Sequence, residues 1–114
     1  MKILFRWSIW GDKRKLLELL VCSVDTFRRA FGVHARYVVC TDEPAEISAL
    51  MHACVEIMPY ANEEVGFYVE TKSMWRKWCP WPRLDRTCHE FYVDADVFIV
   101  STPTELWRDR KSVV

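Results

Sequence analysis

Two apolar runs, residues 2–9 (Lys-Ile-Leu-Phe-Arg-Trp-Ser-Ile) and 35–40 (Ala-Arg-Tyr-Val-Val-Cys), bracket a segment with a different rhythm. There Leu16, Leu17, Leu20, Val21, Val24, Phe27 and Phe31 recur at three- and four-residue steps, the spacing of one helical face. Asp12 supplies an N-cap and Gly32 a C-terminal glycine. Strand, amphipathic helix and strand at this length form a βαβ unit, which commits the chain to a parallel sheet covered by helices. Ligands of such sheets bind beyond the carboxyl ends of the strands, so the polar residues at those ends become the candidates for function.

The remaining chain extends the same plan. Ile47, Leu50, Met51 and Cys54 predict a short second helix over 45–53, and 55–58 reads as a third strand before Pro59. A helical stretch over 69–78 is stopped by Cys79-Pro80-Trp81-Pro82. Thr102, Pro103 and Glu105 mark a further helix start. No repeat, linker or low-complexity tract divides the chain, so residues 1–114 read as a single α/β domain, three-layered around a mostly parallel sheet.

Residues 89–100, His-Glu-Phe-Tyr-Val-Asp-Ala-Asp-Val-Phe-Ile-Val, read as one strand with two carboxylates in its middle. Residues two apart on an extended chain project to the same face, so Asp94 and Asp96 are expected to converge at the edge of the core. Two like charges there need a positive partner, and Mg²⁺ or Mn²⁺ would satisfy both while leaving positions open for phosphate oxygens. The competing reading makes Asp-Ala-Asp a solvated loop or a pair of caps. Asp42, just past the second strand, either hydrogen-bonds a ribose or base or caps the next helix, with Pro44 near the first helical position. Lys72 and Arg76, four apart, share a helix face suited to a diphosphate. Lys13, Arg14 and Lys15 open the first helix with the wrong sign for its dipole, which fits either a bound anion or a solvated basic face.

Composition narrows the classes. Sixteen basic and sixteen acidic residues cancel, so charge gives no reason to expect nucleic acid or an anionic membrane as partner. No apolar run is long enough for a membrane span or a signal-peptide core, and the cytoplasm is the expected compartment. The five cysteines show no Cys-x-x-Cys spacing and are expected to be reduced and mostly buried. Neither Gly-x-Gly-x-x-Gly nor a P-loop motif is present.

The order of parts resembles the N-terminal half of a GT-A-type glycosyltransferase. Residues 75–106 carry most of the likeness: Trp-Pro-Arg-Leu, then the Asp-x-Asp run, then Pro-Thr-Glu-Leu. The resemblance implies that Asp94 and Asp96 correspond to the family's DxD motif, which holds Mn²⁺ or Mg²⁺ against the diphosphate of a nucleotide-sugar donor. It implies that the strand ends around Trp7, Ser8 and Asp42 line the nucleotide pocket, and that Lys72 and Arg76 lie on the helix facing the donor. It also implies transfer of the sugar to an unidentified acceptor. Members of this family have a larger domain whose acceptor half follows the DxD strand. Here that half is missing, so no catalytic base is assigned, and the chain is expected to be a fragment or to be completed by a partner. Self-association is a further expectation, since a truncated sheet leaves apolar surface uncovered. The alternatives are a non-catalytic nucleotide- or sugar-binding module, and a small α/β interaction domain in which the two aspartates cap a loop.

Overall fold

A computed structural model describes residues 2–10, 14–59 and 83–100. Among these, four strands form one all-parallel sheet: β1 (Lys2–Ile9), β2 (Ala35–Thr41), β3 (Glu56–Pro59) and β4 (Cys88–Tyr92), in the spatial order β3-β2-β1-β4. Helices α1 (Arg14–Phe31) and α2 (Pro44–Leu50) connect β1 to β2 and β2 to β3. The α/β class and the parallel sheet are those the βαβ pattern predicts. The helices expected over 69–78 and after Thr102 lie outside the described residues.

β1 pairs with β2 from Ile3↔Ala35 to Ile9↔Thr41 and with β4 from Lys2↔Cys88 to Arg6↔Tyr92. Alternation then sorts the side chains. Phe5, Trp7 and Ile9 of β1 join Tyr37 and Val39 of β2 in a core with Leu20, Val24 and Phe27 of α1 and Ile47 of α2. Leu4, Val38, Cys40 and Cys88 make a second cluster on the opposite face, with Leu84 against it. A strand buried on both faces has no polar side to show, which is why 2–9 reads as a nearly continuous apolar run. Phe27 sits edge-on to both Phe5 (centroids 4.8 Å apart) and Trp7 (5.3 Å), the arrangement ring quadrupoles favour.

α1 closes where expected. Gly32 adopts φ +54°, the left-handed value a C-terminal glycine supplies, and the Tyr37 hydroxyl donates to its carbonyl at 2.7 Å. α2 starts one residue later than the capping alternative for Asp42 requires: Glu43 is the N-cap and Pro44 follows in the first turn. The turn into α2 is instead held by Thr41, whose Oγ1 accepts from the Glu43 amide at 3.0 Å.

The largest correction concerns 89–100, which is not one strand. β4 ends at Tyr92; the Val93 amide makes one more sheet-like bond, to the Arg6 carbonyl at 2.8 Å. The Val97 amide then donates to the Asp94 carbonyl at 3.1 Å, closing a β-turn with Ala95 and Asp96 at its centre. Past the turn the chain lies along α1: Ser23 Oγ donates to the Val97 carbonyl at 2.5 Å, and the Ile99 amide donates to Thr26 Oγ1 at 3.1 Å. Val93, Ala95 and Ile99 pack against the α1-side core. Of the run at 97–100, Ile99 packs on the core while Val97, Phe98 and Val100 are exposed, and hydroxyls of α1 take the backbone bonds of Val97 and Ile99, a role that periodicity cannot separate from a sheet ladder. Among the described residues no helix is long and apolar enough to cross a membrane.

Candidate functional site at the carboxyl rim of the sheet

From β1 the chain builds outward through β2 to β3, then returns to β1's other side as β4. The order reverses between β1 and β4, and in open parallel sheets the crevice beyond such a reversal is where ligands bind. Asp94 follows the end of β4, whose last residue, Tyr92, is in register with Arg6 of β1. Asp94 and Asp96 are both exposed. As first and third residues of a turn they do not share a strand face, so the convergence expected from strand alternation is replaced by the geometry of the turn.

Of the other residues singled out, Ser8 and Asp42 are half-buried at the carboxyl ends of β1 and β2. Ser8 and Asp42 thus sit near the carboxyl ends of two adjacent strands, while the turn carrying Asp94 and Asp96 leaves the end of β4 toward α1. Trp7 does not join them. Its odd position in β1 turns it to α1, where it is 1% exposed and its Nε1 donates to Ser23 Oγ at 2.9 Å. It is a core residue, and its side chain is no pocket wall. Lys72 and Arg76 lie outside the described residues, and so do the side chains of Lys13, Arg14 and Lys15 at the start of α1.

A cavity of about 440 Å³ opens beside the turn on the α1 side. Phe5, Phe27, Phe91, Val93 and Val97 line it together with two polar side chains, the Tyr92 phenol and the Asp94 carboxylate. Among the described residues no group of three or more His, Cys, Asp or Glu gathers into a metal centre. Two exposed carboxylates nevertheless suit Mg²⁺, which is typically held by one or two protein carboxylates, several waters and the phosphates of a substrate.

A second group of residues escapes a reading by motif. Arg6, on the face opposite α1, has a side chain with no exposure and lies 3.3 Å from Glu90, itself 4% exposed. Its guanidinium carbon stands 4.5 Å over the centroid of Tyr92, the last residue of β4, and Nη1 reaches the Tyr92 hydroxyl at 3.5 Å. The signal was present as opposite charges, Arg6 and Glu90, inside two apolar runs. Buried charges need partners, so those strands had to be neighbours. Nearby, burial pushes the Cys40 thiol up to about 11, so it stays protonated and inert near neutral pH. Among the described residues Cys40 and Cys88 are buried and Cys22 and Cys54 exposed, all as free thiols.

Compared with protein families, with curated proteins and with solved structures, the chain matches none.

Proposed function

We propose that this chain is a glycosyltransferase-like domain of the GT-A type, which binds a nucleoside-diphosphate sugar through Mn²⁺ or Mg²⁺ at Asp94 and Asp96. The observation that carries the reading is the Asp-Ala-Asp turn at the exit of β4, where the strand order of a parallel sheet reverses. Its donor set supports a hard cation, since both side chains offer carboxylate oxygen and both are open to solvent.

In this reading Asp96 coordinates the cation directly, and Asp94 is either a second ligand or a hydrogen-bond acceptor for ribose and metal-bound water. Asp42, at the end of β2, accepts from ribose or base, and Ser8 lies near the end of β1. When bound, the cation supplies Lewis-acid stabilisation of the charge that develops on the diphosphate as the glycosidic bond breaks. The chain's own part is to hold the donor at the rim.

Calorimetric titration with UDP and GDP, each with and without MnCl₂, tests the assignment. Metal-dependent binding by the native chain and its loss in Asp96→Asn, with an unchanged unfolding midpoint, is the expected result. Binding that ignores the metal or survives Asp96→Asn overturns it. A parallel assay for release of sugar from UDP- and GDP-sugars separates a transferase from a non-catalytic binding module.

A further inference from the structure

Asp94 and Asp96 sit on a turn, not in a ladder, so their position relative to β1 depends on whatever holds the end of β4. On the α1 side the segment is held by core packing of Val93 and by Ser23 and Thr26, and on the opposite face two kinds of contact come from Arg6. Its carbonyl accepts from the Val93 amide at 2.8 Å, the last sheet-like bond before the turn. Its guanidinium lies over the Tyr92 ring, 4.5 Å from guanidinium carbon to centroid, and touches the Tyr92 hydroxyl. The pair is also in register, Arg6↔Tyr92 being the final step of the β1–β4 ladder.

The guanidinium is itself held from below. Glu90 Oε2 lies 3.3 Å from Nη1, and Glu90 Oε1 accepts from the Asp85 amide at 2.8 Å, so the carboxylate is anchored to the chain entering β4. Cys40 of β2 meets Nη2 from the other side at 3.9 Å. Arg6 is therefore clasped by β2 and β4 at once, while Tyr92 is 42% exposed and owes little of its position to core packing.

We infer that Arg6, stacked on Tyr92 and anchored by Glu90, is the positioning residue that sets the Asp94–Asp96 turn against β1. A flat, always-charged guanidinium is suited to this, because it satisfies a carboxylate in its plane while offering a face to an aromatic ring. A lysine at the same place would keep the charge near Glu90 and lose the planar stack. Outer residues that orient ligating side chains commonly change metal affinity by about 10- to 100-fold when altered. The inference rests on the proposed site for its functional consequence, though not for the geometry it predicts.

Arg6→Lys and Tyr92→Leu test it by two readouts. The first needs no ligand: amide hydrogen exchange at Val93 and Val97, compared with the β1 and β2 amides. Faster exchange confined to 93–97, with an unchanged unfolding midpoint in Tyr92→Leu, is expected. The second is the affinity for UDP or GDP with MnCl₂, expected to weaken by about 10-fold or more in both variants. Unchanged protection at 93–97 in Tyr92→Leu overturns the inference, as does unchanged affinity in a variant whose native parent binds. Faster exchange in a protein whose native form binds no nucleotide upholds the positioning role and overturns the proposed function instead.

Discussion

Arg6 and Glu90 carry opposite charges on neighbouring strands, 3.3 Å apart and almost wholly out of water. Such a pair contributes little net stability against an apolar replacement, yet removing one member strands the other charge in the interior. Arg6→Met is therefore expected to cost roughly 3–5 kcal/mol. Arg6→Met/Glu90→Gln should recover much of that, because the glutamine oxygen still accepts from the Asp85 amide and no bare ion remains. Urea midpoints of the single and double variants check this; equal loss in both would deny the ion pair its buried character. Ser23 is the other residue whose value exceeds its size. Fully buried, it accepts from Trp7 Nε1 and donates to the Val97 carbonyl, so one hydroxyl joins β1, α1 and the segment after the turn. Ser23→Ala leaves both partners unsatisfied and should cost about 1–3 kcal/mol in urea unfolding, with raised exchange at 97–99.

At the scale of elements, β2, β3 and the approach to β4 are tied at their amino ends by Arg36. Its Nη2 meets Glu56 at 2.7 Å and its Nη1 meets Asp85 at 2.5 Å. The Asp85 carboxyl is lowered from 3.8 to about 2, first by the Thr87 hydroxyl and amide and then by Arg36, and Glu56 is lowered chiefly by its hydrogen bond to Arg36. Because the folded-state Asp85 value lies below the unfolded one, its stabilisation is present above about pH 4 and is lost as pH falls through about 2; the lowered Glu56 acts in the same direction. Stability should accordingly decline between pH 4 and 2, and Asp85→Asn should flatten that slope while lowering the plateau near neutrality. A slope unaltered by Asp85→Asn would remove this carboxylate from the acid transition. The same network explains an element the sequence shows only faintly. β3 is short, with burial confined largely to Ile57, and apolar pattern alone says little about its position. A bidentate arginine bridge to β2 supplies what its side chains do not.

For the molecule as a whole, the decisive property is that the sheet is parallel with its order reversing at β1–β4, which puts the ends of β1, β2 and β4 on one rim. If the rim binds a metal–nucleotide complex, the native fold gains free energy by linkage. Mn²⁺ with UDP or GDP at a hundred times the dissociation constant should stabilise by about 2.7 kcal/mol, read as a raised thermal midpoint. Neither component alone should reproduce the shift, and no shift with the full complex would favour a domain without this ligand.

The architecture was legible in local patterns. Period-3.6 spacing from Leu17 to Phe31, apolar runs at 2–9 and 35–40, and Gly32 at the helix end are each enforced by nearest-neighbour chemistry, so they appear in the chain as written. The positions of Ser8 and Asp42 near the carboxyl ends of β1 and β2 follow from the same apolar runs. Three features came from packing between distant segments. Trp7 is a core residue because alternation from β1's register turns it to α1. The run at 97–100 lies on α1 because Ser23 and Thr26, more than seventy residues earlier, accept and donate the bonds a strand neighbour would otherwise make. Asp94 and Asp96 lie in a turn because the Val97 amide closes back on the Asp94 carbonyl and the chain beyond it is bound to α1 by Ser23 and Thr26, contacts that no local period encodes.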